Sequence, residues 1–120
     1  MDDQWRDREL QRAEALVGPE WSGLQLEHRP ASPRPEDIGA VTGFGLAMAD
    51  PQLQASVFLF DAWGQGRDAG RALQEMTDGD GYRAATALNG ALMLFAVADA
   101  DDPASVAALD QLIGAFSGME

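Results

Sequence analysis

Residues 82–98 read YRAATALNGALMLFAVA, two runs of strand-forming residues on either side of Asn89-Gly90. An Asn-Gly pair between such runs is the strongest short-range hairpin signal, because both residues tolerate the left-handed backbone a tight turn requires. Strands are therefore expected over Tyr82 to Leu88 and Ala91 to Ala98. The second run is apolar at every position and has no side to give to water. A strand of this kind lies inside a sheet that is covered on both faces.

Working outward, the segment from Ser56 to Trp63 repeats the pattern. Val57, Leu59 and Trp63 point one way, Phe58, Phe60 and Ala62 the other, and after Ser56 the one polar position is Asp61. Arg67 to Met76 follows as a short helix carrying Ala69, Ala72, Leu73 and Met76, broken by the glycines and aspartates of residues 77–81. Beyond the hairpin, Asp102-Pro103 forms an N-cap with proline in the first turn. The helix it opens places Val106, Leu109, Leu112, Ile113 and Phe116 along one stripe. These two helices are expected on one face of the sheet. The other face then has to be covered by the N-terminal segment or by another chain, since large apolar faces are rarely left bare.

Toward the N-terminus, Asp2 to Val17 is free of Gly and Pro and stops at Gly18-Pro19, which predicts a helix. Its apolar residues Trp5, Leu10, Ala13, Leu16 and Val17 form a thin stripe, so residues 1–17 are expected to sit peripherally. Gly23 to Arg29 alternates as an edge strand would. Pro30, Pro33 and Pro35 make residues 30–37 an exposed loop without regular structure. Ile38 to Ala49 reads as a strand in which Gly39, Gly43 and Gly45 signal a bulge or a close backbone approach, ended by a turn at Asp50-Pro51. The expected fold is a single α+β domain over residues 1–120, a five-stranded, mostly antiparallel sheet with element order α-β-β-β-α-β-β-α.

Composition narrows the functional classes. The 120 residues carry a formal charge of −12, with eight Arg and no Lys, a field that repels nucleic acid and anionic lipid and attracts basic partners. Cysteine is absent, which removes disulfides, thiolate nucleophiles and thiolate metal sites. No apolar run reaches the length of a membrane span and the first ten residues are charged throughout, so neither membrane insertion nor a signal peptide is expected. As written, the chain is expected in the cytoplasm, with an exported domain that has lost its leader as the alternative.

Three groups of residues have the types that chemistry needs. Gly64, Gly66, Arg67 and Gly70 lie between a strand and a helix, where glycines admit a phosphate to a helix N-terminus. Their G-x-G-x-x-x-G spacing departs from the dinucleotide fingerprint, and the following strand belongs to a hairpin, so a turn role is the simpler account. Asp78 and Asp80, and the group Asp99, Asp101 and Asp102, offer hard oxygens to a cation but lack EF-hand spacing, and turn and cap roles explain them. His28, the single histidine, has no nucleophile or titrating partner to form a triad with. Asp61 stands out as an acid in an apolar strand, with an exposed position at the strand end as the plain reading. Trp5 and Trp21 flank a polar helix and a loop, where aromatic anchors for a partner are found when they do not serve the core. No catalytic set, metal or cofactor is expected.

In layout, the chain resembles class I type III secretion chaperones: Gly90-Ala-Leu-Met-Leu and the helix from Val106 to Phe116 are similar to their closing strand and helix. The resemblance implies a dimer that binds an extended protein segment. The glycines of the second strand, the three prolines and the short helix ending before Asp78-Gly-Asp-Gly81 depart from that pattern. The run from Phe58-Leu-Phe-Asp61 through the hairpin to the last helix is also similar to small extracytoplasmic domains of high-GC bacteria, whose roles are mostly unassigned; small-ligand or ion binding through the glycine loop at 64–70 or the aspartates at 99–102 is the alternative expectation. The expectation carried forward is a non-catalytic, acidic interaction domain that binds a protein partner or a second copy of itself.

Overall fold

The computed structural model describes residues 3–31, 33–49, 52–61, 64–77, 79 and 81–118. Along the chain lie α1 (Asp3–Leu16), α2 (Pro19–Ser22), β1 (Glu27–Arg29), a 3-10 turn (Pro35–Ile38), β2 (Thr42–Ala49) and β3 (Gln52–Leu59). They are followed by α3 (Gln65–Thr77), β4 (Tyr82–Asn89), β5 (Leu92–Asp99) and α4 (Pro103–Gly118). The five strands form one antiparallel sheet in the order β1-β2-β3-β5-β4. This is the α+β architecture and element order the sequence predicts.

The strands apolar on both sides, β3 and β5, occupy the interior of the sheet, where two covered faces are available to them. Val57 and Leu59 join Leu92, Leu94 and Ala96 on the first face, packed beneath Leu109, Leu112 and Phe116 of α4 and Ala13 and Leu16 of α1. Phe58 and Phe60 join Met93 and Phe95 on the second face, against Leu73 of α3. The last two helices therefore lie on opposite faces, not on one as expected. Shape explains the division. The buried side of α3 is Gly66, Gly70 and Leu73, a shallow surface that accepts phenylalanine rings, whereas α4 brings large side chains to a floor of aliphatic ones.

Helix α1 is also less peripheral than its stripe suggests. Its C-terminal half and the residue after it are core, with Ala13 and Leu16 fully buried and Val17 nearly so. Gly18 ends the helix, and the single turn of α2 then redirects the chain so that Ser22 is buried against α4, where its carbonyl accepts a bond from Gln111 Nε2. The predicted strand Gly23 to Arg29 shortens to β1, and it is an edge as expected. The proline segment is not wholly irregular, because Pro35 begins the 3-10 turn, where its fixed φ is an advantage. Ile38 belongs to that turn, and the strand expected from it begins at Thr42.

Register decides between the two roles offered for the β2 glycines. The β2–β3 pairing runs without interruption from Thr42↔Leu59 to Ala49↔Gln52, so there is no bulge. A Cβ on Gly45 would stand 2.4 Å from the Pro30 carbonyl oxygen, and one on Gly43 2.6 Å from that of Val57. Close backbone approach is the reason for both glycines. The expected strand from Ser56 is displaced toward the N-terminus, with Gln52 and Leu53 inside it and Asp61 beyond its end. Ala62, Trp63 and the turn at Asp50-Pro51 lie outside the described residues.

The hairpin forms one residue away from its expected position. Asn89 pairs with Leu92, and Gly90, at φ 62°, and Ala91 make the turn. Asn89 is kept in the strand by its side chain, which accepts a bond from Arg12 Nη1 and donates one to the Phe116 carbonyl at 2.9 Å. The residue that signals a turn thus joins α1 and α4 to the sheet.

Candidate functional site

A groove of about 690 Å³ crosses the second face of the sheet. It exists because α3 packs over Phe58, Phe60, Met93 and Phe95 and leaves the other half of that face open. The floor follows from strand alternation: Gln54 and Ser56 share a face with Phe58 and stand opposite Val97 and Phe95 on β5. Ala47 extends the floor on β2, opposite Gln54. Because β2 presents only Gly43, Gly45, Ala47 and Ala49 on this face, nothing larger than a methyl group rises from it to fill the space.

One wall is Arg29, Pro30 and Pro33, held down at Gly45. The opposite wall is Leu73, Met76 and Thr77 of α3, with Tyr82 and Asp99 at its foot. Tyr82 and Asp99 are direct cross-strand partners, so their side chains leave the same face with Cβ atoms about 5 Å apart. Met76 is 79% exposed and Tyr82 50% exposed, which places two large apolar side chains in water on one rim. A second depression, about 760 Å³, adjoins the groove along β1 and shares Arg29, Ala47, Gln52 and Gln54 with it.

Charge is unevenly placed. Arg29 pairs with Glu27 at 3.0 Å on the outer strand. The far end holds Asp99, which lines the groove together with Met76 and Thr77 of the last turn of α3, and that turn carries no basic residue. Helix carbonyls without a capping cation leave a partial negative charge of about half a unit there. The Asp99 carboxylate accepts a bond from the Asp101 amide at 3.0 Å, which fixes one oxygen and leaves the group half-buried at the groove wall.

The described sequence candidates lie elsewhere, apart from Asp99. Gly64, at φ 92°, forms the turn before α3, and Gly66 sits in the helix, where an added Cβ would be 3.1 Å from the Phe60 ring. Gly66 and Gly70 serve helix-to-sheet contact. Arg67 is exposed and within 3.7 Å of Asp68, whose own charge in the first turn opposes an incoming phosphate. Asp61 is exposed near the same helix end. Trp5 is half-buried on the α1 side and Trp21 is 54% exposed on α2, and neither lines the groove. His28 stacks on Phe44 at 5.5 Å on the first face. Asp102 caps α4 through the Ala104 amide at 3.0 Å, and Asp101 is exposed. Among the described residues no three acidic or histidine side chains gather as metal ligands, and Asp78 and Asp80 lie outside them.

No family model, curated protein or solved structure matches this chain. Among the described residues, no helix is long and apolar enough to cross a membrane.

The groove was missed because its floor hides in composition. Gln52 and Gln54 alternate with Leu53 and Ala55, the signature of a strand segment with one wet side. A strand taken to begin at Ser56 leaves both glutamines out and makes the second face look wholly apolar. Extending the alternation by two pairs would have shown that half of that face is polar.

Proposed function

We propose that this protein is a non-catalytic binding domain that holds an extended polypeptide segment of a partner in the groove across the second face of the sheet. The observation that carries the reading is the open half-face between Pro30 and Tyr82, floored by exposed Gln54 and half-buried Val97. From β1 to β4 the sheet is about 19 Å wide, the length of about six extended residues. Glutamine amides donate and accept, which suits a peptide backbone. Met76 and Tyr82 supply adaptable and amphipathic contact area of the kind found at interfaces. With α1, α3 and α4 covering the apolar strands inside one chain, the binding surface is this groove and not a bare sheet face.

Panning a random-peptide display library on the folded protein tests the reading. Selected peptides are expected to shift the backbone amide resonances of Gln54, Val97 and Tyr82. Val97→Trp, which fills the groove from its floor, should weaken them by at least about tenfold. Light scattering reads the rival occupant, a second copy. A dimer that Val97→Trp dissociates, or selected peptides that perturb only other surfaces, would overturn the proposal.

A further inference from the structure

The groove has a chemical polarity that specifies its occupant beyond "polypeptide". We infer, resting on the reading above, that the bound segment is basic and apolar, with a Lys or Arg side chain seated at Asp99 and Tyr82 and an apolar residue beside it against Leu73 and Val97. At that end the described groove lining offers one carboxylate, one phenol ring and the last turn of α3, which carries no basic residue, with no cation among them. Among the described residues the single cation lining the groove, Arg29, stands on the opposite wall and is already paired with Glu27. A cation entering at Asp99 gains its charge, the negative helix end and the face of the Tyr82 ring.

The apolar part follows from what adjoins this end. Phe95 is buried beneath α3 together with Leu73 of that helix, and Val97 is half-buried beside them. A side chain placed there extends an existing core cluster. The net charge of −12 acts in the same direction at long range, raising the encounter rate of a basic segment and disfavouring an acidic one.

The test uses the display selection with its positions scored separately, followed by synthetic peptides on the native protein and on Asp99→Asn. Asparagine keeps an acceptor for the Asp101 amide, so the turn before α4 is retained, and an unchanged melting temperature confirms the fold. Lys or Arg should be enriched at one position, next to an apolar residue. Replacing that basic residue with Gln should cost about tenfold in affinity on the native protein and no more than about twofold on Asp99→Asn. Groove-binding peptides without basic enrichment, or an equal loss on both proteins, would overturn this inference and leave the groove reading standing. Peptides that perturb residues outside the groove would remove both.

Discussion

Asn89 shows how one side chain can hold a fold that its local signal does not explain. Arg12 reaches it from α1 with one bond to the side-chain oxygen and another, at 3.0 Å, to the backbone carbonyl, while Glu9 holds the guanidinium from behind at 2.8 Å. The amide nitrogen satisfies the carbonyl of Phe116 near the end of α4, one of the acceptors that a helix terminus leaves unpaired. Asn89→Ala removes both side-chain bonds in a partly buried site and should cost about 1–3 kcal/mol in urea denaturation. Asn89→Asp keeps the acceptor for Arg12 but turns a carboxylate oxygen toward the Phe116 carbonyl, so its loss should be smaller but measurable. Aspartate is as good a turn residue as asparagine. An Asp variant as stable as the native chain would show that the bond to the Phe116 carbonyl adds nothing to the Arg12 contact.

At the scale of elements, the two helices on opposite faces differ in what their glycines do. A Cβ added to Gly66 of α3 would stand 3.1 Å from the Phe60 ring and 3.4 Å from the Met93 Cβ, both on buried side chains. Gly114 of α4 is exposed and has nothing within 4 Å of an added Cβ. Gly66→Ala should therefore destabilise by about 1–2 kcal/mol through overpacking, whereas Gly114→Ala should stabilise by about 0.5–1 kcal/mol through reduced backbone entropy. Thermal or urea unfolding reads both signs, and a stabilised Gly66→Ala would refute the close packing of α3. The same contrast explains what the sequence could reveal. The hairpin, the α4 stripe and the edge strand were legible because their signals are local: turn chemistry, a capped apolar period and alternation. The side of α3 that meets the sheet was not, because a glycine stripe carries no hydropathy, and Met76, counted toward the buried side, is the most exposed large apolar residue described. The groove was illegible for the same reason. It is made by small residues on β2 and by a helix that stops short, and Asp99 is the one described sequence candidate that lines it.

For the whole molecule the governing quantity is charge density. A net charge of −12 sits on a body of 42 × 30 × 23 Å, so at about 0.01 M salt, where the screening length is about 30 Å, nearly every carboxylate feels every other. Opposing this are ion pairs such as Arg6 with Asp3 and Arg34 with Asp37, which join residues three apart on exposed surface. Pairs of that kind contribute about 0–1 kcal/mol each and remain partly available in the unfolded chain, so screening them costs the folded state little. Repulsion, by contrast, is strongest in the compact state and is relieved on unfolding. Raising sodium chloride from about 0.01 M to about 1 M, where the screening length falls to about 3 Å, should therefore raise the melting temperature, at about 3–6 °C per kcal/mol of repulsion removed. A fall over that range would mean that ion pairs outweigh the net charge. Binding of a basic segment in the groove should respond with the opposite sign, weakening as the same salt screens Asp99 and the surrounding field. Melting and affinity measured along one salt series should therefore move in opposite senses. Loss of affinity while the fold gains stability would place the salt effect in the contact itself and not in the integrity of the sheet that carries it.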